Sequence, residues 1–114
     1  MSNNTGLRSI GDKLPQQFSF NITTGVVTKL IPSGDADQRI LLLGLVLSSS
    51  GAGTVIFRSN TDEMSRLTFL AADPPLVLPS SPDGWMWTAK GEELRLDNIT
   101  DSLTLTGFGT YFYL

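Results

Sequence analysis

Three carboxylates, Glu92, Glu93 and Asp97, are the residues best placed by type and spacing to do chemistry. Paired carboxyls can hydrolyse a glycoside when they stand about 5–9 Å apart on the floor of a cleft. Glu93-Leu94-Arg95-Leu96-Asp97 alternates, however, so Glu93 and Asp97 flank Arg95 on one face of a strand, as on a solvated surface. No nucleophile–base pair stands elsewhere. Histidine and cysteine are both absent, which removes the commonest general base, the commonest metal ligand and all thiolate and disulfide chemistry. Asp35 and Asp37 invite a calcium reading but lack the further carboxylates of a calcium loop, so a solvated turn is expected. The glycosylation triplets opening at Asn3, Asn21 and Asn98 read as Asn-Thr turns. The chain is expected to be no enzyme, with no catalytic residues, no metal and no cofactor.

The aromatic residues offer binding instead of catalysis. Trp85 and Trp87 are two apart and share a face if extended. An exposed Trp87, with Tyr111 and Tyr113, could stack on sugar rings and serve a carbohydrate- or receptor-binding module. Against this, each tryptophan buries about 150–250 Å² when it fills a core. The turn before Trp85 marks it as the core anchor and Trp87 as the exposed or interfacial partner.

The element that must position these residues runs from Arg39 to Arg58 and reads as a central hairpin: a strand, the loop Ser48 to Gly53, and a returning strand. Ile40 to Leu47 carries no polar side chain. It is too short to span a bilayer as a helix, which needs about 20 apolar residues. As a strand it sends Leu41, Leu43, Leu45 and Leu47 to one side and Ile40, Leu42, Gly44 and Val46 to the other. Both sides are apolar, so one small sandwich is not expected to cover them alone. Leu41, Leu43 and Leu45, with Trp87, are the candidate subunit-interface residues. Arg39 and Arg58 flank the stretch, and two readings stand: gatekeepers against aggregation, or partners for acidic groups on a neighbouring subunit.

Along the chain, residues 1–16 form a polar arm, in which Leu7, Ile10 and Leu14 have helical spacing and are the candidate partner contacts. The arm is expected to be extended and to order only against a partner, or else to fray. Residues 17–114 form one domain. Gln17 to Thr23 alternates as a half-buried strand, and Val26 to Ile31 is a second, with Val27 and Ile31 on one face. Met64 to Leu70, Leu76 to Leu78, Trp85 to Trp87, Glu93 to Asp97 and Leu103 to Leu114 follow, separated by turns of which Pro79 to Gly84 is the strongest. Gly107 and Gly109 suggest a bulge or bend between two segments of the last strand. The expectation is all-β: a two-sheet antiparallel sandwich, jelly-roll-like, of about eight strands with a polar N-terminal arm.

The chain has 114 residues, a net charge of −3 and 17% charged residues, against about 25% in an average domain. Negative charge argues against nucleic-acid binding. A weakly charged coat suggests surface covered by another subunit or a large partner; a neutral secreted β domain is the alternative. Met1 to Gly11 has no apolar signal-peptide core, so export by that route is not expected.

A resemblance follows from the ordered series Gln38-Arg39-Ile40-Leu41, Leu45-Val46-Leu47-Ser48, Ser50-Gly51-Ala52-Gly53-Thr54-Val55-Ile56-Phe57, Leu70-Ala71-Ala72, Pro79, Ser81-Pro82-Asp83-Gly84-Trp85 and Thr88 to Leu96, closed by a glycine-containing last strand. This series resembles the small bacteriophage capsid decoration, or cement, proteins with a jelly-roll β-sandwich. Members commonly read Trp-Phe where this chain has Trp85-Met86-Trp87, and many have a simple glycine turn in place of Asp73-Pro74-Pro75. The resemblance implies a structural virion protein on the head surface, assembled in the host cytoplasm. Its implied partners are itself, as a homotrimer, and the major capsid protein of the same phage, with no nucleic acid and no membrane.

Overall fold

The computed structural model describes residues 15–23, 27–70, 74–99 and 103–114. The strands are β1 (Gln16–Ile22), β2 (Val27–Ile31), β3 (Ile40–Ser49), β4 (Gly53–Ser59), β5 (Asp62–Phe69), β6 (Leu76–Leu78), β7 (Met86–Trp87), β8 (Leu94–Asn98) and β9 (Leu105–Tyr113). They form two antiparallel sheets. Sheet I has the order β1-β9-β3-β6, with β7 also on β3, and sheet II the order β2-β8-β4-β5. Among these connections only β4 to β5 and β6 to β7 stay within a sheet; every other one crosses between layers. That alternation produces the jelly-roll-like sandwich expected from the sequence.

The stretch from Arg39 to Arg58 is not a hairpin. β3 lies in sheet I and β4 in sheet II, and β3 pairs with β9 along its whole length instead. The link between them is tied to the start of β9: Ser50 N–H donates to Thr104 O and Thr104 N–H to Ser50 Oγ, both at 2.9 Å. The hairpin in this region is β4–β5, closed by Asn60 and Thr61 between the paired Ser59 and Asp62. Asn60 takes a positive φ of 49°, a conformation its short polar side chain tolerates better than most.

The facing of β3 also differs from simple alternation. Register with β9 shifts between Leu42 and Gly44, a β-bulge at Leu43. Before the bulge Ile40 and Leu42 face the core between the sheets; after it Leu45 and Leu47 do. Leu41 and Leu43 face outward and form a second buried cluster with Phe112. The turn at Ser81–Trp85 closes over them. Ser81 N–H donates to Leu43 O at 2.9 Å and Trp85 N–H to Leu42 O at 2.8 Å. Gly84, at φ +75°, lies so close to Leu41 that a Cβ would sit 2.8 Å from its Cγ. From Ile40 to Leu45 the apolar ribbon is therefore covered by its own chain on both sides, so neighbours are not needed to shield that part of it; Val46 is only part-buried.

Two other facings are corrected. Val27 is 53% exposed while Ile31 is fully buried, because the β2–β8 register shifts between Lys29 and Ile31. Gly107 and Gly109 mark no bulge in β9. They stand opposite Phe20 and Phe18, and a Cβ on either would meet those rings at 2.7 and 2.8 Å. Their bare backbones leave the space that the two rings fill. Leu114 extends the pairing beyond β9 by exchanging backbone hydrogen bonds with Arg39.

Candidate functional site

The two sheets divide the charge of the strands completely. β1, β3, β6, β7 and β9, which make sheet I, contain no Asp, Glu, Lys or Arg. Every strand of sheet II contains at least one. On sheet II, Lys29, Arg95 and Arg58 stand side by side on neighbouring strands. Such a row of like charges is unfavourable unless acids intervene. Glu93 contacts Arg95 and lies 3.8 Å from Lys29, Asp97 holds Arg58 at 2.9 Å, and Glu63 holds Arg66 at 2.8 Å. The Arg66 guanidinium, hydrogen-bonded to Glu63, holds that carboxyl below the usual carboxylate range.

The three carboxylates singled out for chemistry are thus each engaged. Glu93 and Asp97 pair with cations, and Glu92 accepts a hydrogen bond from Ser59 Oγ. None of the three lines either of the two hollows described below. Asp35 and Asp37 are exposed, and among the described residues no group of three metal-ligating side chains is assembled.

The outer face of sheet I is the contrasting surface. One row runs across four strands: Ser19 on β1, Phe108 on β9, Val46 on β3 and Val77 on β6 are successive cross-strand partners. Phe108 is 59% and Val77 57% exposed. An open hollow of about 710 Å³ lies over this row, bounded also by Gln17, Ser80 and Thr110. Gly44 lines it and contributes no side chain, which deepens it. A second hollow of about 440 Å³ lies nearby, where Trp87 and Leu114 meet Arg39 and Asp83 over Leu41. Isolated apolar residues on a surface need no explanation; here Phe108, Val46 and Val77 are contiguous across three neighbouring strands.

Of the residues proposed for a subunit interface, Leu45 is in the main core and Leu41 and Leu43 are in the cluster beneath the Ser81–Trp85 turn. All three are buried in this chain. Trp87 is on the surface. Trp85 is not a core anchor: it is 45% exposed, Trp87 is 55% exposed, and the Trp85 indole N–H donates to Pro79 O at 2.8 Å. Met86 between them packs against the main core instead. Tyr111 and Tyr113 do not join Trp87. Both pack inward, their rings edge to face at 5.6 Å, with Tyr111 bonded to Gln16 Oε1 and Tyr113 to Pro32 O. Trp87 pairs with Leu41 on the other face of the sheet. The arm candidates Leu7, Ile10 and Leu14 lie outside the described residues.

Phe108, Val46 and Val77 were not singled out in the sequence. Each lies in a different strand, and only the order β9-β3-β6 makes them neighbours. A usable signal was the absence of charge from some strands, which becomes a face once the sheets are known. Comparison with known proteins gives no assignment to set beside this surface: no family model, no curated protein and no solved structure matches the chain.

Proposed function

We propose that this chain is a structural virion protein that binds the outer surface of a bacteriophage head and stabilises the capsid lattice as a decoration protein. The observation that carries the reading is the segregation of charge: a sandwich with one ion-paired sheet and one sheet whose strands carry no charge, with Arg39 and Asp83 only at the second hollow, is suited to lie against a partner. Phe108, Val77 and Trp87 are the apolar and aromatic anchors that interface centres favour, and Gln17, Ser19, Ser80 and Thr110 supply a polar surround. The kind of partner comes from the likeness of Gln38 to Tyr113 to phage decoration proteins, whose implied fold class this chain has.

The mechanism is mass action. A protein that binds only the assembled shell stabilises it by RT ln(1 + [L]/Kd). Copies joined as the trimer that the likeness implies would engage several capsid subunits at once and gain avidity. Residues 1–14, with Leu7, Ile10 and Leu14, would reach the shell or an adjacent copy. Sugar stacking by Trp87 with Tyr111 and Tyr113 is not carried forward, because the three rings do not share a face.

The test is binding to expanded phage heads that lack their own decoration protein, read as copies bound after sedimentation. Wild type should coat the heads. Phe108→Ser with Val77→Ser should lose most of the binding without unfolding, and deletion of residues 1–14 should weaken it. Full occupancy by the double-serine variant would remove the sheet I face from the interface, and full occupancy by the truncated chain would remove the arm.

A further inference from the structure

An exposed sheet edge is a template for another strand, and proteins guard such edges with charges, prolines, bulges or very short strands. Among the described residues, the sheet edges are β1, β6, β7, β2 and β5. β5 carries Asp62, Glu63 and Arg66. β2 carries Lys29 and a bulge. β6 is three residues long between Pro75 and Pro79, and β7 is two residues long. β1 is preceded by Pro15 but has none of these devices within it. Its seven residues, Gln-Gln-Phe-Ser-Phe-Asn-Ile, hold no charge and no proline, and they pair with β9 in unbroken register.

We propose that β1 is a self-association edge, pairing antiparallel with β1 of a second copy about a two-fold axis through Ser19. The strand is chemically close to a palindrome about that residue. The two-fold places Ser19 opposite Ser19 of the second copy, Phe18 opposite Phe20, and Gln17 opposite Asn21, twice over. No like charges meet, and an amide faces an amide on the outer side. On the inner side Phe18 and Phe20 are only part-buried, stacked on each other with centroids 6.1 Å apart. The second copy's phenylalanines would complete their cover, an aromatic cross-strand contact of the kind that stabilises sheets. Main-chain hydrogen bonds along the edge would supply affinity, as in other strand additions. The result joins two copies of sheet I into one sheet, with the outer faces of their uncharged strands continuous across the axis. An isologous contact of this kind closes on itself, so it is separate from any three-fold contact, and it does not depend on the head-binding reading.

The experiment is light scattering of the full chain over a range of concentrations, with hydrogen exchange at the β1 amides. Wild type should contain a species of twice the 12.3 kDa chain mass, with β1 protection that rises with concentration. Ser19→Lys sets two cations face to face and should raise the dissociation constant about tenfold. Gln17→Lys with Asn21→Lys should dissociate the pair likewise, whereas Gln17→Glu with Asn21→Lys places opposite charges across the axis and should keep it. All positions changed are solvent-exposed, so the fold should persist. A monomer at every concentration overturns the proposal, as does β1 protection that is independent of concentration, which would mean that the edge is covered by its own chain. So does any assembly that both lysine variants leave unchanged.

Discussion

Ile40 and Thr88 hold each other by two hydrogen bonds: Ile40 N–H donates to Thr88 Oγ1 at 2.9 Å, and Thr88 N–H donates to Ile40 O at 3.0 Å. Both residues are buried. The bonds extend the short β7 pairing by a side-chain contact at the first residue of β3, where the Ser81–Trp85 cover ends. Thr88→Val keeps the shape but leaves the Ile40 N–H buried without an acceptor, which costs about 1–3 kcal/mol. Urea unfolding should show a lower midpoint at unchanged slope, and Thr88→Ser should restore most of the loss.

Gly109 tests the close approach of β1 and β9. A methyl group there meets the Phe18 ring at 2.8 Å and the backbone carbonyl of Gly44, and backbone cannot swing aside. Gly109→Ala should therefore destabilise by about 1–3 kcal/mol, the usual cost of overpacking. Gly51→Ala, where nothing lies within 4 Å, is the matched control and should leave the melting temperature nearly unchanged.

The exposure of both tryptophans has a spectroscopic consequence. Native emission should lie close to that of the urea-unfolded chain, and iodide should quench Trp85→Phe and Trp87→Phe variants alike. A blue-shifted, poorly quenched native signal in the isolated monomer would restore Trp85 to the core.

Burial pushes the Tyr113 phenol above its ordinary value, with further contributions from its neighbour Tyr111. The folded chain thus holds this proton more tightly than the unfolded chain does. Its contribution to stability is present below the ordinary tyrosine pKa, about 10, and is lost as pH rises through the folded value. Wild type should lose more thermal stability between pH 9 and pH 11 than Tyr113→Phe, which cannot titrate. Equal losses would show that the phenol is not shielded in solution.

Much of the fold was legible because alternation is local. Gln17 to Thr23 and Glu93 to Asp97 show their two faces in their own residues, and Pro79 to Gly84 announces a turn by its composition. The outward Arg95 and Asp97 and the inward Leu94 and Leu96 lie as the alternation requires. Strand pairing is not local. Nothing between Leu47 and Gly53 tells a hairpin loop from a crossing between layers, so β3 and β4 looked like partners. Likewise a ribbon apolar on both sides fits a subunit contact as well as a buried strand with a cover. The cover, Ser81 to Trp85, lies far along the chain.

What the sequence by itself determined is an all-β chain, its strand positions and the absence of histidine and cysteine chemistry. The tertiary structure decided which strands meet, where β3 bulges, and that uncharged strands gather in one sheet. The physical reason is that a strand's alternation is set by its own backbone, whereas sheet order is set by long-range pairing. A single extra residue at Leu43 then reverses every facing after it.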